Sequence, residues 1–231
     1  MTRPRILNPR SVPVIGTDAH LPAVAAARLT AQALRQRFAS PQEFAPEFAG
    51  DGRLFSDREP AAASVLVPLV QRPDGLHVLL TMRTEHLNEH AGQVSFPGGR
   101  AEEHDADAVA TALRETEEEI GLPRSHIEVI GRLPIYTTIT RFTVTPVIAL
   151  VTPPFELKLD EFEVAEAFEV PLAYLMTPAH HQRHLFEFAG EVRHFLSMPW
   201  RTTAPGGDER EYFVWGATAA MLRNLYRVLA S

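Results

Sequence analysis

A run of acidic residues at 115–119 has the composition and spacing of a metal-binding helix face. Glu115, Glu118 and Glu119 stand at positions i, i+3 and i+4, so a helix would place their carboxylates on one face, while Glu117 would point elsewhere. Like charges at this spacing repel by about 0.2–0.5 kcal/mol per pair, and a divalent cation would reverse that repulsion by binding their oxygens. Taken alone, such a run is also typical of an ordinary solvated acidic face.

The surrounding residues favour a phosphate-and-metal site over a solvated face. Gly98 and Gly99 precede the predicted helix and permit a close approach of the backbone to a ligand. Arg114 can hold a carboxylate or a phosphate through two parallel hydrogen bonds. The chain contains no cysteine, so thiolate ligands are excluded, and carboxylate oxygens suit Mg²⁺ or Mn²⁺. No role is assigned to the nearby histidines His86, His90 and His104.

The segment 99–122 resembles the Nudix box, the signature of hydrolases that split diphosphate linkages in nucleotide-like substrates with Mg²⁺ or Mn²⁺. The residues that match in register are Arg114, Glu115, Glu118, Glu119, Gly121 and Leu122. The resemblance implies that the three glutamates bind the metal and that Arg114 belongs to the catalytic machinery. The spacer before Arg114 is one residue longer than in the general pattern. The first acidic position therefore falls on Asp105 or is supplied by Glu102 or Glu103.

Two stretches upstream, 79–83 and 92–99, resemble a further motif of the coenzyme A pyrophosphatase branch of this family. The substrate-binding residues that this resemblance implies are Arg83, Gln93, Phe96, Gly98 and Gly99. Similarity to the branch extends over most of residues 61–230. Two positions depart from the motif: Thr84 replaces serine or alanine, and Asn88 replaces an arginine whose charge and fork of donors an asparagine cannot supply.

The resemblance implies hydrolysis of coenzyme A or acyl-CoA to 4′-phosphopantetheine, or its acyl form, and adenosine 3′,5′-bisphosphate. A base must accept a proton from the attacking water, and the candidates are Glu118 and, in the downstream acidic segment 160–166, Glu163. Asn88 favours a rival reading, a Nudix hydrolase of ADP-ribose or another nucleoside diphosphate derivative. A non-catalytic nucleotide sensor is a remoter alternative, because such modules tend to lose their metal-binding glutamates.

Composition indicates an ordinary globular chain that acts on a small molecule. With 22 Lys and Arg against 29 Asp and Glu the net charge is −7, so the chain lacks a global basic field that would attract nucleic acid. No stretch approaches the roughly 20 apolar residues needed to cross a bilayer, and residues 1–16 carry no apolar run of signal-peptide length. We therefore expect a cytoplasmic protein without a membrane partner, and a homodimer is possible.

Periodicity predicts the elements that must position these residues. Apolar spacing at 21–38 predicts a helical arm, with a linker rich in Pro and Gly after it, so that residues 1–58 precede a Nudix hydrolase domain at 59–231. The runs 61–70 and 76–82 predict a hairpin. A helix of about 15 residues begins near Asp105, its N-cap, and ends at Gly121. Strands at 127–133 and 142–151 and a closing helix at 215–229 complete an α/β fold, a Nudix-type α/β/α sandwich with a mixed sheet.

Overall fold

The computed structural model describes residues 6, 8–40, 44–51, 60–85, 92–138, 140, 142–188, 190–203 and 207–231. Its strands are β1 (Val14–Thr17), β2 (Ala61–Arg72), β3 (Gly75–Arg83), β4 (Val94–Ser95), β5 (Gly98–Arg100), β6 (Ile127–Arg132), β7 (Tyr136–Thr137), β8 (Phe142–Val151), β9 (Val164–Pro171), β10 (Gln182–Phe188), β11 (Glu191–Thr203) and β12 (Glu209–Trp215). Its helices are α1 (Ala31–Ala39), α2 (Ala108–Ile120), α3 (Leu172–Leu175) and α4 (Gly216–Ala230).

The larger sheet is mixed, as predicted. Its central strands run in the order β4-β3-β2-β8-β6, with β5 beside β2, β7 beside β8 and β9 beside β3. The pair β2 and β8 is parallel, and every other pair in this sheet is antiparallel. The predicted hairpin is confirmed: β2 and β3 pair up to Arg72 and Gly75, and the turn between them carries Gly75 at a φ of +134°, where glycine is favoured.

Helices cover both faces of this sheet because its central strands are apolar on both sides. Leu66 of β2 packs with Ala112 of α2, whereas its neighbour Val67 belongs to the main core together with Leu222 and Leu225 of α4. Strand β8 alternates in the same way. The α/β/α arrangement therefore follows from the two-residue period of the strands.

Helix α2 begins later than the sequence predicts. Its N-cap is Asp107, whose Oδ1 accepts hydrogen bonds from the N–H groups of Val109 and Ala110, both at 2.9 Å. The predicted cap, Asp105, is wrong because the carboxylate of Asp105 instead binds Arg114. The predicted stop is confirmed: Gly121 takes the left-handed conformation at a φ of +64°, and its N–H donates to the Glu117 carbonyl.

A second sheet was not predicted. Strand β1 pairs with β10 in a four-stranded antiparallel sheet of order β1-β10-β11-β12. The closing helix is confirmed as α4, which packs on β11 and β12. Across the described residues, no helix is both long and apolar enough to cross a membrane.

The N-terminal segment is less helical than its spacing predicts. Helix α1 begins at Ala31 rather than near Leu21, because Thr30 caps it by accepting from the N–H of Ala33 and because Val24 donates its N–H to the Met176 carbonyl. A short 3-10 turn at Ala26–Arg28 precedes it. The predicted boundary between an arm at 1–58 and a domain at 59–231 lies outside the described residues and stays a prediction.

Candidate active site

Glu119 is the most enclosed carboxylate at the end of α2. Only 5% of the residue is exposed, and its Oε2 accepts a hydrogen bond of 3.1 Å from the N–H of Gly98 at the start of β5. The guanidinium of Arg83 lies 3.7 Å from the other oxygen. Burial raises the pKa of Glu119 to about 8, and repulsion from Glu163 and Glu115 adds to that rise, while Gly98 and Arg83 oppose it.

Gly98 and Gly99 let the backbone of β5 pass close to the glutamates of α2. Gly98 has a φ of +150°, and a Cβ at this position would collide with the carbonyl oxygen of Ser64. A Cβ on Gly99 would collide with the carboxylate of Glu115. Burial raises the pKa of the Glu115 carboxyl, which Arg114 partly offsets. Glycine is therefore required at both positions for the strand to pass beside the acidic helix.

Arg114 holds three acidic side chains together from inside the site. Its Nε and Nη2 donate to the two oxygens of Asp105 at 3.0 and 2.9 Å, and Nη2 also donates to the Arg100 carbonyl at 3.0 Å. Its Nη1 donates to Glu115 at 2.9 Å and to Glu118 at 2.8 Å. All five N–H donors of the guanidinium are thus engaged, and the arrangement orients carboxylates. Its strongest effect falls on Asp105, whose pKa it holds well below the usual value.

The remaining glutamates of α2 divide as the helical spacing predicts. Glu118 lies on the face of Glu115, with 59% of its side chain exposed. Glu117 points away from the site and forms an ion pair with Arg124 at 3.0 Å. Of the three glutamates predicted to bind metal, Glu119 is buried, Glu115 is half-buried and Glu118 is exposed.

Glu163 comes from the loop before β9 and lies beside Arg83, as Glu119 does. Its carboxylate lies 3.6 Å from Nη2 of Arg83, so one arginine stands between Glu163 and Glu119. Thr84 fixes this loop: its N–H donates to the Glu163 carbonyl at 3.0 Å and its hydroxyl to the Phe162 carbonyl at 2.8 Å. Threonine therefore keeps a hydroxyl where the upstream motif has serine or alanine.

A cleft of about 480 Å³ opens beside these carboxylates. Four of the five predicted substrate-binding residues line it: Arg83, Gln93, Phe96 and Gly98. The lining residues that the sequence analysis missed include Asp51, Arg193, Trp215 and Met221. They lie outside the two motifs, and only the distant elements that carry them place them here. Asn88, His86 and His90 lie outside the described residues.

The donor chemistry of this group fits a hard divalent cation. Glu163 and Glu115 both raise the pKa of Glu119 by repulsion, and a cation would remove that repulsion. In the described part of the chain, no three histidine, aspartate or glutamate side chains already stand in the geometry of a metal site. The carboxylates of Glu115 and Glu118 are turned toward Arg114 instead. Binding an ion through Glu115 and Glu118 therefore requires these side chains to turn away from Arg114.

The pKa of Glu119 predicts how the stability of the metal-free protein depends on pH. The folded-state pKa of about 8 exceeds the ordinary value of 4.5, so the folded state keeps a proton that the unfolded chain releases between these values. The contribution of Glu119 to the free energy of unfolding should thus be fully present below pH 4.5 and be lost as pH rises through about 8. Urea unfolding at several pH values in chelator measures this. E119Q should flatten that part of the profile, and an unchanged profile would contradict the assignment.

Comparison with known proteins agrees with this geometry. A family model described as NUDIX domain matches residues 60–189, more than half of the chain. The chain is 44% identical over 165 residues to "Uncharacterized Nudix hydrolase NudL" of Escherichia coli (strain K12 / DH10B), covering 71% of this chain and 80% of that protein. It is 42% identical over 174 residues to the protein of the same name from Shigella flexneri serotype 5b (strain 8401), covering 73% and 84%.

Solved structures also match, at lower similarity. The Nudix hydrolase RenU from M. smegmatis is 26% identical, with a TM-score of 0.44 over 53% of this chain and 81% of that one. A MutT/nudix family protein from Enterococcus faecalis is 18% identical, with a TM-score of 0.45 over 78% of this chain and 66% of that one. On the family model and the relatives above 40% identity, the chain belongs to the NUDIX domain family.

Proposed function

We propose that the protein hydrolyses the diphosphate linkage of coenzyme A or acyl-CoA. Family membership supports action on the diphosphate bond of a nucleotide-like substrate. The observation that carries the narrower proposal is the cleft, because Arg83, Gln93 and Phe96 of the coenzyme A motif line it. Gly98 also lines it, and its N–H donates a hydrogen bond to Glu119. The products would be 4′-phosphopantetheine, or its acyl form, and adenosine 3′,5′-bisphosphate.

Nudix hydrolases generally need divalent ions such as Mg²⁺ or Mn²⁺. In this chain Glu115, Glu118 and Glu119 would hold the ion, which when bound would offset the charge that develops on the diphosphate oxygens. Arg114 orients two of these three carboxylates through its Nη1. Arg83 stands between Glu119 and Glu163 and can turn to a phosphate oxygen, because both of its ion-pair distances exceed 3.5 Å.

Hydrolysis also requires a group that accepts a proton from water. The water oxygen forms a bond to one phosphorus, the bond from that phosphorus to the bridging oxygen breaks, and the proton passes to a carboxylate. Glu163 is the first candidate, since it faces Arg83 and Glu119 from a separate loop with 43% of its side chain exposed. Glu118 is the second, with a more exposed carboxylate that hydrogen-bonds to Arg114.

A second candidate function is hydrolysis of ADP-ribose or another nucleoside diphosphate derivative. Asn88 favours it, because this residue stands where the coenzyme A motif has an arginine. Both functions use the same carboxylates and the same hydrolytic step. They differ in what occupies the cleft away from the diphosphate.

The proposal predicts activity on coenzyme A when a divalent ion is present. Purified protein would be assayed in parallel on coenzyme A, acetyl-CoA, dephospho-CoA, ADP-ribose and NADH, with Mg²⁺, with Mn²⁺ and with chelator. We expect release of adenosine 3′,5′-bisphosphate from the first two compounds, resolved by chromatography, and none with chelator. Preference for ADP-ribose or NADH would replace the proposed substrate with the second candidate. Failure to hydrolyse any of the five compounds would indicate a non-catalytic sensor.

A further inference from the structure

The cleft beside the glutamates is lined by a second pair of charged residues that the hydrolytic step does not use. These residues are Arg193 of β11 and Asp51. The same two residues also line an adjoining cavity of about 240 Å³, so they stand between the two spaces. Their position at the junction makes them candidates for recognising the part of a substrate that lies away from the broken bond.

The contact between these two side chains is loose. Nη2 of Arg193 lies 3.6 Å from Oδ1 of Asp51, which is ion-pair distance but longer than a hydrogen bond. The same Oδ1 accepts a hydrogen bond of 2.7 Å from the hydroxyl of Tyr136. Asp51 is therefore held by Tyr136 as well as by Arg193, so the guanidinium can move toward a better acceptor while Asp51 keeps its hydrogen bond from Tyr136.

Both residues lie on backbone that is hydrogen-bonded to a sheet. The N–H of Asp51 donates to the Thr137 carbonyl of β7 at 3.0 Å, which attaches this segment to the large sheet. Arg193 stands opposite Phe186 in the ladder of β10 and β11. The Arg193 side chain is 20% exposed, so its charge is only partly screened by water. A phosphate placed here would meet a positioned guanidinium.

The distribution of cationic side chains along the cleft indicates which ligand group Arg193 can bind. Arg83 and Arg193 are the two cationic residues among the described side chains that line it. Arg83 lies at the catalytic end, within 4 Å of Glu119 and of Glu163. Asn88 supplies no charge in place of the motif arginine. Arg193 is thus the cation that the cleft offers to an anionic group remote from the diphosphate.

We propose that Arg193 binds such a remote anionic group and that in coenzyme A this group is the 3′-phosphate of the adenosine. The inference rests on the proposed function for the identity of the substrate. A guanidinium suits this role because its parallel N–H groups match two phosphate oxygens. Asp51 opposes binding through its negative charge while it keeps Arg193 in place when the cleft is empty.

Substitution of Arg193 should separate substrates by their 3′-phosphate. In R193Q we expect the KM for coenzyme A to rise by about 10- to 100-fold with kcat within about twofold, and the KM for dephospho-CoA to change by less than about threefold. The matched control is R201Q: Arg201 lies on the same strand, is 79% exposed and pairs with Glu211 outside the cleft. An equal rise in KM for both substrates in R193Q would overturn the proposal.

A second variant should strengthen binding where R193Q weakens it, and its test does not depend on turnover. D51N removes the competing negative charge, while its amide oxygen can still accept from Tyr136. By calorimetry, we expect adenosine 3′,5′-bisphosphate to bind D51N at least about threefold more tightly than wild type, and R193Q at least about tenfold less tightly. A merely structural pairing of Asp51 with Arg193 predicts weaker or unchanged binding in D51N, and that result would overturn the proposal.

Binding to the wild-type protein distinguishes this inference from the proposed function. Tighter binding of adenosine 3′,5′-bisphosphate than of adenosine 5′-monophosphate, lost in R193Q, would uphold Arg193 even if coenzyme A were not hydrolysed. Hydrolysis of coenzyme A with no preference between the two nucleotides would uphold the proposed function and refute the role of Arg193. Thermal unfolding of each variant identifies any loss of affinity that comes from loss of the fold.

Discussion

E119Q should lower turnover by roughly three orders of magnitude while the protein remains folded. Glutamine preserves the shape and can still accept the hydrogen bond from Gly98, but it cannot supply the charge that a divalent ion needs. The fold should tolerate the change because burial already disfavours the ionised form of Glu119. Steady-state hydrolysis, with Mn²⁺ titrated to saturation, measures the loss.

E117Q provides the matched control for this experiment. Glu117 lies on the same helix two residues before Glu119, but it is exposed and pairs with Arg124 away from the cleft. Its turnover should stay within about twofold of wild type, because a surface ion pair contributes little. If E119Q retained near-normal turnover at saturating metal, Glu119 would not be a ligand. If E117Q lost as much activity as E119Q, the loss of turnover would come from the lower negative charge of α2 and not from a lost metal ligand.

The sequence predicts the acidic helix well because local rules determine it. The spacing of Glu115, Glu118 and Glu119 defines a face in any helix, and Gly121 stops the helix wherever it begins. The choice between Asp105 and Asp107 as N-cap was not local. Aspartate caps helices well at either position, and the guanidinium of Arg114, nine residues after Asp105, binds the first of them.

The second sheet and the far end of the cleft could not be predicted in this way. Strand β1 pairs with β10 across more than 160 residues, and its four residues Val14–Thr17 carry too little pattern to predict a strand. Arg193 and Asp51 meet only because β11 and the segment beside β7 converge there. Side chains of a strand alternate between its two faces, and this period does not indicate which cavity Arg193 reaches.

The N-terminal segment is joined to the rest of the molecule by a buried ion network around Arg223. This α4 residue is 2% exposed. Its Nε donates to Glu47 at 2.7 Å, and its Nη1 forms an ion pair with Asp18 at 3.1 Å. Nη1 also lies 3.1 Å from Nδ1 of His181, whose pKa burial lowers to about 4, so that this ring is neutral and accepts. Arg183 supplies a second cation to Asp18 and Glu47.

R223M should lower the free energy of unfolding by about 3 kcal/mol, because removing one partner of a buried ion pair leaves the other without its compensation. Asp18 is 1% exposed and would lose one of its two arginine partners among the described residues, while Glu47 would lose its shorter contact and keep Arg183. For a chain of this length the loss corresponds to about 6–12 °C in Tm. Urea unfolding measures it. R227M, an exposed arginine on the next turn of α4, should change stability by less than about 0.5 kcal/mol.

A double-mutant cycle shows whether the loss comes from charge or from packing. D18N removes a carboxylate that Arg223 neutralises, so D18N/R223M should be more stable than the sum of the two single losses predicts. Additive losses would show that Arg223 acts through its packing instead. Because Glu47 lies four residues before Asp51, loosening this network should also raise amide exchange at 48–51 and weaken the binding of adenosine 3′,5′-bisphosphate. Protection and affinity that stay at wild-type values in R223M would show that the segment beside β7 holds the Asp51 end of the cleft without help from the buried ions.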